Sequence, residues 1–358
     1  MIAFLAIGAF QWKIHQKMAD FAVYRQASER VLKAEPLYRE SDGHFQFKYL
    51  PAFAVADVET AKLCWFAMSI GALVLFVRFS ARFVPDRRRG LPFLMGIACI
   101  FLAKFFVHEI QLGQANLLFG LVVVTAIGAL QSELPAAAGV LFGVAVCVKP
   151  YGLLFAPWLL ASEDRRAVYA FAITSVVVLL APATLYGLSG NLTLLGDWWH
   201  TVSTSTAPNL LGDDNISLAS MWAKWIGPGR GASLLAGLTA ILCLTAIAEA
   251  WWHREKINEP AYLEVAALLV LVPVLSPQGW DYVLLLAAPA VILLLDRMPE
   301  LPRPWQITAW TVFAIMGFFI FDVVGKAIYH RFMALSIISL CAITMVVLLN
   351  HVRRLRLA

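Results

Sequence analysis

Charged residues are scarce in this sequence. Of its 358 residues, 14% are charged and 61% are hydrophobic, whereas a soluble chain is usually about 25% charged and about 45–50% apolar. So few charges cannot cover a water-facing surface, which excludes an ordinary soluble enzyme, a disordered protein and a nucleic-acid-binding domain. We therefore interpret the net charge of +5 as a signal of how the chain is oriented in a membrane. We expect a lipid bilayer, and no nucleic acid, as partner.

Cysteine is also scarce, and its spacing indicates no metal or redox site. The five cysteines all lie in apolar runs, and no CxxC or Cys/His spacing is present. The favoured interpretation is small apolar residues in membrane helices. No cofactor is expected, and a divalent metal is not favoured.

Long hydrophobic runs are what the sequence has in abundance. They predict an all-α, polytopic membrane protein with about twelve transmembrane or partly re-entrant helices, forming one integral membrane domain over 1–358. Around Lys149-Pro150, two short helices and one interrupted helix would give the same pattern. The runs lie near 1–12, 61–84, 91–108, 116–131, 136–148, 151–161, 167–187, 232–252, 261–275, 281–295, 305–321 and 332–350.

Lysine and arginine in the short turns predict the orientation. The basic turns alternate along the chain in the way expected if all of them are cytoplasmic, which also puts both termini in the cytoplasm. The run 1–12 is too short to span unaided. The basic residues of these turns and of the C-terminal tail are Arg82, Arg87, Arg88, Arg89, Arg165, Arg166, Arg254, Lys256, Arg297, Arg303, Arg353, Arg354 and Arg356.

Two long segments fall on the outer side in this topology. The first outer loop, 13–60, contains apolar residues at helical spacing between Asp20 and Lys33, which predicts an amphipathic helix at the membrane interface. The second outer loop, 188–231, is rich in tryptophan, which also indicates interfacial placement.

Polar residues from distant parts of the chain meet on this same outer face. Because charge at a bilayer edge is costly, such a set predicts one catalytic or binding pocket at the outer leaflet. The groups are Asp20, Tyr38, Lys48, Tyr49, His108–Asn116, Lys149–Tyr151, Asp213–Ser217 and Ser276–Tyr282.

Each of these groups also has a structural interpretation. Asp20 could be the N-cap of the amphipathic helix, and Gln111–Asn116 could be a turn with a cap. Lys149 could extend its amine to lipid phosphates at the interface, and His108 and Glu109 could satisfy each other as a buried pair. For Asp213-Asp214, a solvated loop is favoured over a metal site.

The chemistry that such a pocket supports is glycosyl transfer. A carboxylate can act as general base toward a hydroxyl, and a lysine with amide and tyrosine donors can hold a phosphate that leaves. Tryptophan and tyrosine rings can stack on sugars. The combination suits a polyprenyl-phosphate sugar as donor substrate.

The motifs resemble those of glycosyltransferase family 87, formerly DUF2029, in the integral-membrane GT-C superfamily. The first-loop pieces are Asp20 followed by Tyr24, then Glu35-Pro-Leu-Tyr38, then Phe47-Lys48-Tyr49-Leu-Pro51. Gly113-Gln114-Ala-Asn116, Val148-Lys149-Pro150, Asn215-Ile-Ser217 and Ser276-Pro277 with Trp280 follow in the order of the family. The resemblance runs from about residue 20 to about residue 290.

The resemblance implies a GT-C-like fold and a polyprenyl-phosphate-mannose-dependent α-mannosyltransferase activity at the outer face of a bacterial inner membrane. Asp20 matches the catalytic carboxylate that deprotonates an acceptor hydroxyl, and the reaction would invert the anomeric carbon. A glycolipid or a polysaccharide would be the acceptor. The residues expected to bind donor or acceptor are Tyr24, Tyr38, Lys48, Tyr49, His108, Glu109, Gln114, Asn116, Lys149, Asn215, Trp280 and Asp281.

One departure from the family pattern bears on activity. Asp281-Tyr282 stand where histidines often follow the tryptophan, so an inactive, scaffold-like member is an alternative. A membrane transporter or lipid flippase without covalent chemistry is a second alternative, although transporters place ionisable groups near the midplane and often show internal repeats.

Overall fold

The protein is built from α-helices in the part that its computed structural model describes, residues 18–50, 59–161, 164–252, 254–257 and 259–355. No strand occurs within these ranges, so the all-α prediction is confirmed. The α-helices are α1 (Ala19–Leu32), α2 (Glu59–Arg82), α3 (Leu91–Leu112), α4 (Asn116–Gln131), α5 (Pro135–Val148), α6 (Phe155–Ala161), α7 (Arg165–Leu180), α8 (Ala183–Thr204), α9 (Thr206–Asn209), α10 (Leu218–Ile226), α11 (Arg230–Trp252), α12 (Pro260–Leu275), α13 (Ala288–Arg297), α14 (Arg303–Phe318), α15 (Phe321–Val324), α16 (Lys326–Ala334) and α17 (Ile337–Leu355). Short 3₁₀ helices cover Glu40–Phe45, Pro150–Leu154, Arg254–Lys256, Asp281–Ala287 and Met298–Glu300.

Several of these helices have the length and apolar composition of a membrane span. Five qualify alone, and α7 with α8 makes a sixth if that pair, bent by 90°, is one span. The predicted run 1–12 lies outside the described residues, and the predicted number of about twelve spans is not confirmed. The five are Lys62–Arg82, Leu91–Leu112, Arg230–Glu249, Asp281–Glu300 and Ile337–Leu355.

The chain divides into two compact units. The first unit comprises the described residues up to Phe76 together with Val107–Ser205. The second unit comprises Val77–Phe106 and the described residues from Thr206 onward.

The first outer loop packs in the first unit through an aromatic core. Helix α1 buries Phe21, Tyr24 and Ala27, which recur at helical spacing and confirm the predicted helix. The residues that pack with this face are Val23, Leu37, Tyr38, Phe47, Tyr49 and Leu194, with Val31, Trp65, Tyr186 and Trp198 at its edge.

A buried ion pair closes the turn after α1. Arg30 donates to both carboxylate oxygens of Asp42, over 2.6 and 2.8 Å, and also to the carbonyl of Leu37 over 3.2 Å. Both side chains of the pair are about nine-tenths buried. A guanidinium that donates to both oxygens of one carboxylate holds the two groups in a single relative orientation and also stabilises their contact. The loop therefore returns to α1 in one conformation.

Helices α5 and α7 approach closely through glycine. A Cβ atom on Gly139 would lie 2.2 Å from the carbonyl oxygen of Ala167, and one on Gly143 would lie 2.6 Å from Cβ of Thr174. Small residues four apart allow two membrane helices to pack at short distance. After α5 the chain breaks at Lys149 and continues as a 3₁₀ turn and then α6, so two short helices are present around Pro150.

The second unit has two helical segments at its core. In α12 every residue from Tyr262 to Val274 is buried, and α13 is buried along its whole length. Both are apolar all round, as expected for helices enclosed by others. At the end of α13, Asp296 accepts hydrogen bonds from the backbone N–H groups of Arg88 and Arg89, which fixes the turn after α2.

The segment 188–231 is mostly helical. It contains the greater part of α8, followed by α9 and α10. The predicted run 167–187 is therefore interrupted by the bend between α7 and α8, and α8 continues to Thr204. Interfacial placement of this segment stays a prediction.

Candidate active site

Asp20 and Tyr24 lie one turn apart on α1 and so share a face of that helix. Met18 occupies the N-cap position, and Asp20 lies in the first turn. The alternative in which Asp20 is the N-cap is therefore wrong, because the helix begins two residues too early for it. Asp20 is half-buried, whereas Tyr24 is buried.

A glycine turn brings Gln114 to this face. Helix α3 ends at Leu112, and Gly113 adopts φ +71°, the left-handed conformation that commonly ends helices. A Cβ atom there would lie 3.0 Å from Cβ of Phe21, so α1 lies directly against the turn. Gln114 follows immediately and is buried.

The end of α5 supplies the cation. Lys149 is the C-cap of α5, has extended backbone and is buried. Gly152 in the following 3₁₀ turn lies so close to α5 that a Cβ atom would be 2.5 Å from the backbone nitrogen of Val146. The turn therefore folds back on α5 and holds Lys149 in place.

Five side chains form one hydrogen-bonded network, whose residues are Asp20, Tyr24, Tyr49, Gln114 and Lys149. Lys149 Nζ donates to Tyr49 Oη over 2.5 Å and to Gln114 Oε1 over 2.9 Å. The tyrosine hydroxyls lie 2.5 Å apart, and Gln114 Oε1 lies 2.9 Å from that of Tyr24 and 2.6 Å from that of Tyr49. Because each hydroxyl has a single proton, one of them donates to the other and the second donates to Gln114 Oε1. Gln114 Nε2 donates to Asp20 Oδ2 over 2.9 Å. A carboxylate, an amide, two hydroxyls and an ammonium are thus brought together from four parts of the chain.

The ammonium of Lys149 contacts neutral groups. Its hydrogen-bond partners in the described ranges are a hydroxyl and an amide, and its Nζ lies 4.1 Å from the ring centroid of Tyr49. No carboxylate of those ranges forms an ion pair with it. An ammonium has three N–H donors, so one remains beyond the two in use. A buried cation held by neutral acceptors and an aromatic face is suited to an anionic ligand.

Burial sets the protonation of the site's tyrosines. It raises the pKa of the Tyr24 and Tyr49 hydroxyls well above the ordinary value, and the negative charge of Asp20 adds to this. Both residues therefore remain hydrogen-bond donors at neutral pH. Lys48 is half-buried; burial lowers the pKa of its amine, and the charge of Asp20 opposes that shift.

Glu109 and Asn116 form a cap at the start of α4. Glu109 Oε1 accepts the backbone N–H groups of Asn116 and Leu117, and Glu109 Oε2 accepts Asn116 Nδ2 over 2.7 Å. Both oxygens of Glu109 are thus occupied at the helix N-terminus, where negative charge is favourable. The alternative of a Glu109–His108 pair is therefore wrong. His108 lies beside Glu109 on α3 and is half-buried.

The first outer loop is held in place by side chains that donate hydrogen bonds to its backbone carbonyls. Tyr38 Oη donates to the carbonyl of Tyr49 over 2.7 Å. From α8, Trp198 donates to the carbonyl of Lys48 over 3.1 Å, and Tyr186 donates to that of Glu35 over 2.9 Å. Tyr38 thus lies in the packed core of the loop and positions Tyr49.

Three predicted binding residues lie in the second unit. Asn215 and Trp280 form an isolated antiparallel bridge, and Asp281 donates its backbone N–H to the carbonyl of Asp214. The bridge requires glycine at 279, where a Cβ atom would lie 1.8 Å from the carbonyl oxygen of Pro273. Asn215 holds its own loop, accepting from the backbone N–H of Ser217 through Oδ1. A shared pocket with Asp20 stays a prediction.

Asp213 contacts His330 Nδ1 through its carboxylate, and about two-fifths of each side chain is exposed. Within the described ranges, no three His, Cys, Asp or Glu side chains are grouped as a metal site. The favoured interpretation of Asp213-Asp214 as a solvated loop, and not a metal site, stays a prediction.

Two aromatic residues near the network are absent from the list of residues expected to bind donor or acceptor. The Trp65 ring lies 5.6 Å from that of Tyr24, and Lys149 Nζ lies 5.8 Å from the ring centroid of Tyr151. Trp65 is one aromatic among many in an apolar run, so no sequence signal distinguishes it. Tyr151 directly follows Lys149-Pro150, and this position in the sequence could have indicated that it lies near the site.

Comparison with known proteins identifies the family. The model of the family described as "Glycosyltransferase family 87" matches residues 47–277, which is more than half of the chain. The chain belongs to glycosyltransferase family 87. No curated protein and no solved structure matches it significantly.

Family 87 membership, together with the membrane-length helices, indicates a membrane glycosyltransferase. The matched region contains Tyr49, Gln114 and Lys149 of the network. Asp20 and Tyr24 precede it, so their place in the site rests on their contacts with Gln114 and Tyr49.

Proposed function

We propose that this family 87 protein transfers a sugar, with mannose as the first candidate, from a polyprenyl-phosphate donor to an acceptor hydroxyl on the outer face of a bacterial inner membrane. The acceptor would be a glycolipid or a polysaccharide. The observation that supports this proposal is the network in which the buried Lys149 ammonium and the Asp20 carboxylate flank one amide, that of Gln114.

Lys149 supports an anionic, phosphate-linked donor. A buried charge is stable only when paired or hydrogen-bonded, and the partners of Lys149 in the described ranges are uncharged. The carboxylates of Glu109 and Asp20 act on this ammonium only from a distance, and the phosphate of a lipid-linked sugar would place a negative charge in direct contact with it. Tyr24 and Tyr49, which remain protonated at neutral pH, would add donors to the phosphate oxygens.

Asp20 supports general-base catalysis. In the proposed step the acceptor oxygen bonds to the anomeric carbon while the bond from that carbon to the phosphate oxygen breaks. The acceptor proton passes to Asp20, and polyprenyl phosphate leaves with the electron pair. Attack opposite the leaving group inverts the anomeric carbon. Lys149 stabilises the charge that develops on the phosphate.

The test is sugar transfer by the purified protein in proteoliposomes, with a panel of synthetic polyprenyl-phosphate sugars and cell-envelope lipid extract. Asp20→Asn should reduce transfer by about 100- to 10,000-fold, the usual contribution of a general base. Lys149→Met should weaken binding of the donor as well as turnover. The identity of the sugar that is transferred answers the question of donor specificity.

Two surface variants serve as controls. Glu29→Gln lies on the same helix as Asp20 but affects only an exposed pair with Arg25, and Lys33→Met removes an exposed amine just after α1. Both should transfer normally. Counterflow of an intact lipid or sugar, with no glycoside formed, would instead identify a transporter or flippase. Full activity of Asp20→Asn would remove Asp20 from the mechanism.

A further inference from the structure

The amide of Gln114 has a single orientation that the network can accept. Its oxygen faces the Lys149 ammonium and its nitrogen faces the Asp20 carboxylate. Rotating the amide by 180° would place N–H donors against an ammonium and a carbonyl oxygen against a carboxylate. Both contacts would become repulsive, so the charges on the two sides fix the amide.

The same oxygen is close to three polar groups and accepts from two of them. Lys149 Nζ and the hydroxyls of Tyr24 and Tyr49 all lie within 2.9 Å of Gln114 Oε1, and Lys149 and one of the hydroxyls donate to it while the other hydroxyl donates within the tyrosine pair. Hydrogen bonds in a connected chain polarise one another. Donation to the oxygen therefore strengthens the N–H bond that Gln114 gives to Asp20, and a stronger bond holds the carboxylate in its charged, less basic form.

We propose that Gln114 is a positioning residue that relays the arrival of the donor phosphate at Lys149 to the base Asp20. The inference rests on the proposed function. A phosphate that binds Lys149 draws the ammonium away from Gln114 Oε1. The amide becomes less polarised, its hydrogen bond to Asp20 weakens, and the carboxylate becomes more ready to take a proton. The base is then activated only when the donor is bound.

Because the coupling between donor binding and protonation of Asp20 is reciprocal, the relay can be tested by measuring binding alone, without turnover. If donor binding makes Asp20 more basic, then protonation of Asp20 must tighten donor binding by the same factor. Among the described residues, the other charged or titratable groups whose fields reach Asp20 are Lys48, Lys149, Tyr24 and Tyr49. The carboxyl group of Glu109 acts on Lys149 and on both tyrosines, so it adds its own pH dependence to the binding of an anion at Lys149.

The probe is a polyprenyl methyl phosphate diester, which carries one negative charge across the whole pH range and has no sugar to transfer. Its Kd is measured between about pH 4 and 8 for the wild type, Asp20→Asn, Gln114→Met and Gln114→Glu. The control is Gln111→Met, which changes a half-buried glutamine at the end of α3. Thermal unfolding of each variant in detergent identifies any that fail to fold.

The wild type should bind the diester about fivefold more tightly at the acidic end, a coupling at the low end of the usual range. Asp20→Asn should reduce this pH dependence to the part that Glu109 contributes, and Gln111→Met should keep it in full. Gln114→Met should flatten it. Gln114→Glu should weaken binding across the range above about pH 5, because it adds a second carboxylate beside Lys149.

Two results would overturn the relay. One is a Gln114→Met protein that is folded and keeps the full pH dependence of the wild type; the other is a wild-type pH dependence that Asp20→Asn leaves intact. Failure of the proposed function gives a different result. In that case the wild type binds the diester with the expected pH dependence but transfers no sugar from any donor in the panel.

Discussion

Lys149 contacts Tyr49 in two ways: its Nζ donates to the hydroxyl over 2.5 Å and lies 4.1 Å from the ring centroid. The two contacts draw on separable parts of the tyrosine, since the ring attracts the cation through its π-electrons and the hydroxyl through a lone pair. A single oxygen atom can therefore be removed while the aromatic contact stays.

Tyr49→Phe should lower the rate of transfer about fivefold, because one hydrogen bond in the network is worth about 1 kcal/mol and a tenfold change corresponds to about 1.4 kcal/mol. The KM for the donor should rise as the ammonium loses its nearest acceptor. Initial rates over a range of donor concentrations would measure both effects.

Tyr186→Phe is the matched control for that change. It also removes one hydroxyl from the first unit, but that hydroxyl donates to the carbonyl of Glu35 and takes no part in the network. Transfer by this variant should match the wild type. If Tyr49→Phe matched it too, Tyr49 would have no part in catalysis.

Gly152→Ala should destabilise the protein by about 1–3 kcal/mol, the usual cost of overpacking. The added Cβ would lie 2.5 Å from the nitrogen of Val146, so the turn that follows Lys149 has to move. Transfer should fall with stability, because Lys149 is displaced. Gly96→Ala adds the same methyl to open space on α3, and its thermal midpoint should stay or rise. Equal midpoints in the two variants would refute the close packing of this turn on α5.

Glu109→Ala should cost about 2–4 kcal/mol of stability. Two backbone N–H groups and the Asn116 amide would lose their acceptor in a buried place, and each buried unsatisfied group costs about 1–3 kcal/mol. Glu109→Gln keeps one carbonyl oxygen at this position and should cost less. Thermal unfolding in detergent would rank the two variants; the reverse order would show that the carboxylate does not cap α4.

Asp42→Asn should reveal an acid-dependent contribution to stability. The hydrogen bond from Arg30 lowers the pKa of Asp42 below its ordinary value. A carboxyl group with a lowered pKa in the folded state stabilises the protein fully above the unfolded value, about 4, and loses this contribution as pH falls through the folded value.

The wild type should therefore exceed Asp42→Asn by about 1.5–3 kcal/mol at pH 7, the range for hydrogen bonds to charged groups, and the gap should close below about pH 4. Thermal midpoints of both proteins in detergent across pH 3–7 would measure it. The exposed pair changed in Glu29→Gln should give almost no difference. A gap that is constant with pH would contradict the assignment.

The sequence was sufficient to predict most helices. The runs predicted near 116–131 and 261–275 agree with α4 and α12 to within a residue, because a continuous apolar run of this length favours a helix. The number of spans could not be derived in this way. Runs such as 136–148 and 151–161 are apolar but too short to cross alone, so hydropathy does not distinguish a crossing helix from a buried one.

The candidate site was predicted in its members but not in its connections. Asp20, Gln114 and Lys149 were identified because polar residues in so apolar a chain need a reason. Hydrogen bonds between them depend on a left-handed glycine at 113 and a close turn at 152, whose geometry is set by packing. The role of Glu109 could not be predicted for the same reason. Glu109 caps α4 because the seven-residue step to Asn116 turns the chain back on itself, and the sequence does not show that turn.

The anchors from Tyr186 and Trp198 reach backbone carbonyls of the first outer loop and not side chains. Every amino acid has a backbone carbonyl, so the side chains at 35 and 48 can be exchanged without loss of these two bonds. Substitutions at these two positions therefore leave the backbone of the loop where it is. The outer surface of the loop can change in evolution while the hydrogen-bonded network that contains Tyr49 keeps its shape.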